Sequence, residues 1–287
     1  MLNGGSGVLI TGGNGQLGRA FRQLLPEAVV LGRDQLDITD RPGVLQILNK
    51  FKPAVLINGA AYTKVDAAEG NPDGAQRVNG EGPRNLAEAC GESGSVLVQV
   101  STDYVFSGTK KGAYLEDDRP DPASVYGKTK LEGEDAVAAA PKHLIVRTSW
   151  VFGDGQNFIR SILNAAKTAP ELSVVEDQWG LPSYAVHLAP AILQLVAHGA
   201  TGTYHLAGAG DRGNWAEVAE LAITSAELPA EVRRVSTEDY FAGKTGPIAP
   251  RPANSVLDCS KAATLGVELP PWRQAIVNYV QSITKLP

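Results

Sequence analysis

Val8-Leu9-Ile10-Thr11-Gly12-Gly13-Asn14-Gly15-Gln16-Leu17-Gly18 decides the fold of this chain. Val8-Leu9-Ile10 is a short apolar run bounded by glycines, which reads as a buried strand. Gly12-x-x-Gly15-x-x-Gly18 follows it, and a helix is predicted over 19–25. Glycines at such a turn let the backbone approach a pyrophosphate. The helix N-terminus adds unpaired N–H groups and the positive end of its dipole. Many strand–helix junctions use glycine; the strand–turn–helix context is what points to a dinucleotide.

Working outward, strands are predicted over 28–31, 54–58, 95–100 and 143–147, with helices over 41–51 and 79–92 between them. Strands alternating with helices at this spacing imply an α/β fold with a doubly wound parallel sheet, Rossmann-like in plan. Beyond Trp150 the pattern loosens. Helices are expected over 157–168, 185–197 and 275–284, a strand over 203–206, and an irregular Pro- and Gly-rich loop over 243–252. The expected organisation is a dinucleotide-binding domain, 1–153 with 183–206 returning to it, and a smaller C-terminal α/β lobe for substrate, 154–182 and 207–287.

Size and composition narrow the function. A chain of 287 residues with 43% hydrophobic residues can bury one large core, or a larger and a smaller one. It has no run of ~20 apolar residues, so no membrane span is expected. Residues 1–7 are polar rather than a basic segment leading into an apolar one, so no secretion leader is expected. The only cysteines, Cys90 and Cys259, suit reduced thiols in a cytoplasmic protein. A net charge of −5 without a basic cluster argues against nucleic acid as partner. His143, His187, His198 and His205 lack metal-ligand spacing, so no metal is expected.

The chemistry is concentrated in residues 101–130. Ser101-Thr102-Asp103-Tyr104-Val105-Phe106 ends an apolar run, and Tyr126-Gly127-Lys128-Thr129-Lys130 follows 24 positions after Thr102. A ketone oxygen that takes up hydride needs a proton from an acid and a hydrogen bond to hold its charge. Tyr126 supplies the proton in this reading and Thr102 the hydrogen bond. Tyr126 and Lys130, four apart on a helix, share a face, and the cation is expected to draw the phenol's pKa down from its free value near ~10. At the end of the second strand, Leu31-Gly32-Arg33-Asp34 bears on the cofactor. Arg33 suits the 2′-phosphate of NADPH; the alternative is NADH, with Asp34 on the ribose.

With these pieces placed, nearly the whole chain, from Val8 to Trp272, resembles the dTDP-4-dehydrorhamnose reductases, which are extended short-chain dehydrogenase/reductases. The resemblance is carried by residues 12–18, 36–40 (Leu-Asp-Ile-Thr-Asp), 58–66 (Asn-Gly-Ala-Ala-Tyr-Thr-Lys-Val-Asp), 101–106, 126–134, 147–152 (Arg-Thr-Ser-Trp-Val-Phe), 177–184 and 251–258, in that order. It implies reduction of the C4 ketone of dTDP-4-dehydro-β-L-rhamnose. It implies Thr102, Tyr126 and Lys130 as catalytic residues. The cofactor would be bound by Gly12, Asn14, Gly15, Gln16, Leu17, Arg33, Asp37, Ile38, Ala60, Ala61, Tyr62 and Asn79, with Tyr126 and Lys130. The substrate would meet Thr63, Val65, Tyr104, Trp150, Gln178 and Arg251, with Arg251 on the diphosphate.

Structural roles are the alternatives: Asn79 as a helix cap, Tyr104 and Trp150 as core aromatics, Gln178 as a loop residue, and Arg251 as a surface charge. Asp103 receives no role, and Asp117, Asp118 and Asp121 read as solvated. Some members hold an interface metal through an acidic residue early in the first helix. Arg19-Ala20 stands there in this chain, which argues against a metal-bridged dimer, and a monomer or a homodimer is expected. Two rival functions are a reductase of another nucleotide-linked keto-deoxysugar, and a non-catalytic dinucleotide-binding subunit such as the β subunit of methionine adenosyltransferase. The intact Thr102, Tyr126 and Lys130 favour an enzyme.

Overall fold

The apolar run that opens the sequence lies inside the sheet: β1 (Val8–Thr11) is buried at every residue and has a parallel neighbour on each side. The computed structural model describes residue 5 and residues 7–284. Residues 1–4 and 6, most of the stretch in which no leader was expected, lie outside it.

The chain continues through α1 (Gln16–Leu24), β2 (Val29–Leu31), α2 (Arg41–Phe51), β3 (Val55–Asn58), α3 (Val65–Glu69) and α4 (Pro72–Gln76). A π-helical turn (Arg77–Glu81) leads into α5 (Gly82–Ser93), then β4 (Val96–Thr102), a 3-10 turn (Asp103–Val105), α6 (Val125–Ala138) and β5 (His143–Thr148). Next come β6 (Val151–Phe152), α7 (Phe158–Ala166), β7 (Glu171–Val175), β8 (Trp179–Gly180), β9 (Ser183–Tyr184), α8 (Ala185–Ala197) and β10 (Gly202–His205). The described residues end with β11 (Gly213–Asn214), α9 (Trp215–Ser225), β12 (Glu231–Val235), α10 (Thr237–Phe241), α11 (Ser260–Ala263) and α12 (Trp272–Thr284).

Six strands form one parallel sheet in the order β10-β5-β4-β3-β1-β2. Alternate residues of its strands feed two cores. On one face Ile10, Ile57, Val98 and Leu144 meet Phe21 of α1 and Leu188, Ile192 and Leu195 of α8. On the other, Leu9, Leu56, Leu97 and Ile145 meet Val44 and Leu48 of α2, Leu86 of α5 and Val137 of α6. The doubly wound sheet read from the sequence is therefore present. A third core, around Ile159, Leu163, Val218, Trp272, Ile276 and Tyr279, joins α7, α9 and α12. Beside it β7 pairs in parallel with β12.

Several elements depart from expectation. The helix expected over 79–92 starts as a π-helical turn, which offsets Asn79 from the ladder of α5. The strand expected over 95–100 runs on to Thr102, so the hydroxyl residue ends β4 itself. α9 was not anticipated, although Asn214 caps it by accepting from the Glu217 N–H, and Asn with Glu three residues on is a readable helix start. No helix among the described residues is long and apolar enough to cross a membrane.

Candidate active site

Close packing of α6 on the end of β4 brings the reactive side chains together. A Cβ on Gly127 would lie 2.2 Å from the Tyr104 carbonyl oxygen, so only glycine lets the helix sit this near the 3-10 turn. Ser124 caps α6 by accepting from the Gly127 N–H at 3.1 Å. Tyr126 thereby opens the helix beside Thr102, and Tyr104 packs edge-on against its ring, 5.4 Å between centroids. Lys130, one turn along, is buried and donates from Nζ to the Val100 carbonyl of β4 at 2.7 Å. The structure thus gathers Thr102, Tyr126 and Lys130 between one strand end and one helix.

Their electrostatics differ from the sequence reading. Burial pushes the Tyr126 phenol up to about 12, while the nearby Thr102 hydroxyl favours its ionised form and Asp103 opposes it. Lys130 makes no resolved contribution, so the expected lowering of the phenol by this cation is absent: desolvation wins. Burial also pushes Lys130 down to about 8, against the favourable charge of Glu134. At neutral pH Tyr126 holds its proton and Lys130 is still mostly charged.

Asn79 does not act as a helix cap. It exchanges two hydrogen bonds with the backbone of Tyr62: it accepts from the N–H at 2.8 Å and donates to the carbonyl at 3.2 Å. It donates as well to Thr129 Oγ1 at 3.2 Å. Asn79 therefore ties the loop after β3 to α6. In that loop Ala60 N donates to Asn58 Oδ1 at 3.2 Å, Ala61 is half-buried and Thr63 is exposed, and Val65 opens α3.

The glycine turn forms a cradle. Gly12 has φ +72°, and a Cβ there would lie 2.5 Å from the Gly59 carbonyl carbon and oxygen. A Cβ on Gly18 would lie 2.4 Å from the Gly12 carbonyl oxygen. Gly15 caps α1 without a side-chain hydrogen bond, which leaves the first-turn N–H groups to a ligand. Asn14 is exposed and its carbonyl accepts from Arg19 Nε at 3.1 Å. Gln16 donates to the Val151 carbonyl at 3.2 Å, leaving its buried Oε1 without a partner. The side chain of Leu17 packs into the core.

At the end of β2, Arg33 extends into solvent and pairs with Asp37 at 3.3 Å. Hydrogen bonds from Thr39, together with Arg33, hold the Asp37 carboxyl below its usual range. The Ile38 side chain is buried against the position of Gly82.

A cavity of about 540 Å³ opens next to Tyr104. Asp66, Gln178, Trp215, Phe241 and Arg251 share its lining. Arg251 is tied to Asp66 at 2.7 Å, not free on the surface. Gln178 has both ends of its amide engaged, accepting from Trp215 Nε1 at 3.2 Å and donating to Thr237 Oγ1 at 2.9 Å. It acts as a strut in the wall. Trp150, expected to bound the pocket, stands behind Trp215: the two rings stack at 3.7 Å. Trp150 adopts φ +48° and presses on Gly180, where a Cβ would lie 2.6 Å from its ring.

Trp215, Phe241 and Asp66 were missed as pocket residues. Only the fold brings these distant segments together, so no local spacing marks them. A hollow of about 580 Å³ between α5 and α6 is slightly larger, but it is lined by none of the candidate residues.

The family described as RmlD substrate binding domain matches residues 6–285. A dTDP-4-dehydrorhamnose reductase of Sinorhizobium fredii is 39% identical, covering 96% of this chain and 97% of its own. A Streptomyces niveus protein named dTDP-4-keto-6-deoxy-D-glucose reductase is 38% identical over 83% of this chain and 85% of its own. Among solved structures, dTDP-4-dehydrorhamnose reductase from Bacillus anthracis in complex with NADP superposes with a TM-score of 0.90. It is 36% identical, covering 96% of this chain and 98% of that one. With its doubly wound sheet, its glycine cradle and these relatives, the chain belongs to the dTDP-4-dehydrorhamnose reductase family.

Proposed function

We propose that this protein reduces the C4 ketone of dTDP-4-dehydro-β-L-rhamnose to dTDP-L-rhamnose with NADPH. The observation that carries the reading is the convergence of Thr102, Tyr126 and Lys130 beside a cavity large enough for a nucleotide sugar. The residues present fit the cofactor, because glycine at 12 and 18 lets the turn close tightly on the Gly59 backbone and on its own Gly12 carbonyl, and Gly15 leaves the first-turn N–H groups of α1 uncapped by a side chain. The backbone of Gly12, Asn14, Gly15, Gln16 and Leu17 would hold the pyrophosphate. Arg33 would take the 2′-phosphate, with Asp37 and Ile38 near the adenine and Ala60, Ala61 and Tyr62 along the nicotinamide half. When bound, the dihydronicotinamide supplies the hydride.

The remaining chemistry belongs to side chains. Tyr126 keeps its proton at neutral pH because burial raises its pKa, and it passes that proton to the sugar O4, whose alkoxide is the stronger base. Thr102 hydrogen-bonds the same oxygen. Lys130, anchored on the Val100 carbonyl, has two further N–H donors for the nicotinamide ribose. Asn79 fixes the loop bearing Ala60, Ala61 and Tyr62. Arg251 meets the diphosphate, with Asp66 as its partner until then, while Thr63, Val65, Tyr104 and Trp150 shape the sugar end and Gln178 braces the nucleotide end.

The proposed domain division follows the same lines. The unit 1–153 with 183–206 carries the cofactor; 154–182 and 207–287 cover the substrate. Its support is that β10 pairs with β5 in the main sheet while α7, α9 and α12 share a separate core. The working state is a monomer or a homodimer in the cytoplasm. A second reading, reduction of a differently configured dTDP-keto-deoxysugar, is favoured by the name of the Streptomyces niveus relative.

The test follows NADPH absorbance with enzymatically prepared dTDP-4-dehydro-L-rhamnose and identifies the product. Tyr126→Phe lowers turnover by ~10²-fold or more, the scale of general acid catalysis. Near-normal turnover in that variant removes Tyr126 from the mechanism, and a different sugar product selects the second reading.

A further inference from the structure

Thr102 has one hydroxyl proton, and the hydrogen bond it makes in the structure takes that proton to the Asp103 carboxyl. Oγ1 donates to Asp103 Oδ1 at 2.9 Å and accepts from the Tyr104 N–H at 3.2 Å. While Asp103 is a carboxylate, Thr102 offers a ketone oxygen only lone pairs, which repel it. Its proposed part in the reaction requires that proton to be released.

The setting of Asp103 supplies the means. The residue is 3% exposed, and no ion pair among the described residues involves it. Its Oδ2 is buried without a hydrogen-bond partner. The Ser255 hydroxyl faces the carboxyl and favours its charged form, yet falls outside hydrogen-bonding geometry and is itself buried and unpaired. The titratable groups around it are Tyr104 on its own turn and Tyr126 on α6, both of which feel its charge. Lys130 donates to the Val100 carbonyl and makes no ion pair with Asp103, and Arg251 and Asp66 act on Tyr104 from the pocket side. A lone buried carboxylate without a cation is the costly form; the neutral acid is the cheap one.

We propose that Asp103 is a positioning residue that works as the neutral acid: its carboxyl proton is donated to Thr102 Oγ1, and this frees the Thr102 proton for the oxygen of the bound ketone. The inference rests on the ketoreductase reading above. Hydrogen-bond direction reverses and no bond to carbon is made or broken, so the electron and proton balance of the reduction is unchanged. Burial pushes the Asp103 carboxyl up to about 6, against hydrogen bonds that favour its charge. An anionic diphosphate entering the adjoining cavity favours the neutral acid further.

The experiment compares pH profiles of the wild type, Asp103→Asn and Asp103→Ala. The asparagine amide donates to Thr102 Oγ1 at every pH. In the wild type, kcat/KM falls by about tenfold per pH unit above ~6, and the limb lies higher in kcat, which reports the substrate complex. In Asp103→Asn both profiles are flat between about pH 5.5 and 7.5, below the range in which Lys130 loses its charge. In Asp103→Ala kcat falls about tenfold with KM nearly constant, the signature of a lost orientation. Persistence of the limb in Asp103→Asn, or an asparagine variant as slow as the alanine one, overturns the proposal.

A second readout needs no turnover. A carboxyl raised from 3.8 to about 6 contributes stability that is complete below 3.8 and lost as pH rises through 6. The denaturation midpoint of Asp103→Asn relative to wild type therefore climbs between about pH 4 and 7 and then levels. Parallel midpoints overturn the inference by themselves. A wild type that reduces no keto-sugar nucleotide, with midpoints that diverge as described, overturns the functional reading instead.

Discussion

Glu134→Gln removes one charge from the most deeply buried ion pair among the described residues, and its effect can be worked out in advance. Glu134 on α6 receives three hydrogen bonds from Arg147 on β5, at 3.0, 3.1 and 2.7 Å. The side chains are 6% and 4% exposed for Arg147 and Glu134. The guanidinium donates also to the Glu116 carbonyl at 3.3 Å and lies 5.0 Å from the Phe106 ring centroid. Losing one partner leaves a buried cation uncompensated, which costs ~3–5 kcal/mol. With an m-value of ~3 kcal/mol/M in urea, the midpoint falls by ~1 M or more. The double change Glu134→Leu with Arg147→Met, which removes both charges, regains most of that loss.

Urea unfolding followed by circular dichroism measures all three proteins. Glu134 also favours the charged form of Lys130, so in an Asp103→Asn background, which lacks the Asp103 limb, Glu134→Gln moves the Lys130 limb of the turnover profile below its position near 8. A midpoint shift under ~0.3 M refutes the energetic argument. An unmoved basic limb refutes the link to Lys130.

Three further outcomes follow from the geometry. Gly12→Ala places a methyl 2.5 Å from the Gly59 backbone at φ +72°, so NADPH binding measured by fluorescence is lost, and stability falls by ~1–3 kcal/mol. Arg33→Ser removes one charge-assisted contact to a 2′-phosphate; KM for NADPH rises ~10-fold or more and KM for NADH stays within ~3-fold, and equal effects on both favour Asp34 as the ribose reader. Arg251→Gln raises KM for the nucleotide sugar ~10-fold or more with a smaller change in kcat, whereas an unaltered KM assigns Arg251 to its Asp66 contact alone.

The centre of the sheet was legible because β1 and β3 are buried at every residue and open as unbroken apolar runs, Val8-Leu9-Ile10 and Val55-Leu56-Ile57. α2 and α8 match their predicted bounds because helical spacing and flanking turns coincide there. The small strands β6, β8, β9 and β11, of two residues each, were invisible, because their pairing is a tertiary event with no local period.

The candidate site divides the same way. Thr102, Tyr126 and Lys130 lie on two neighbouring elements, so spacing could place them near one another. Trp215 comes from α9 and Asp66 from α3, and only packing brings both to the same cavity. The electrostatics were least legible: a cation four residues along suggested a lowered phenol, but the depth of burial that overrules it is set by the whole fold.

The paired indoles of Trp150 and Trp215 give the protein its own optical gauge. Two indole rings stacked with centroids 3.7 Å apart and planes nearly parallel couple strongly, and one of the pair forms part of the cavity surface while the other is clamped against Gly180. A guest that shifts Trp215 even slightly disturbs that coupling. Occupancy by a nucleotide sugar can thus be read as an ellipticity change in the aromatic band, without label or turnover, and Trp215→Phe silences the signal.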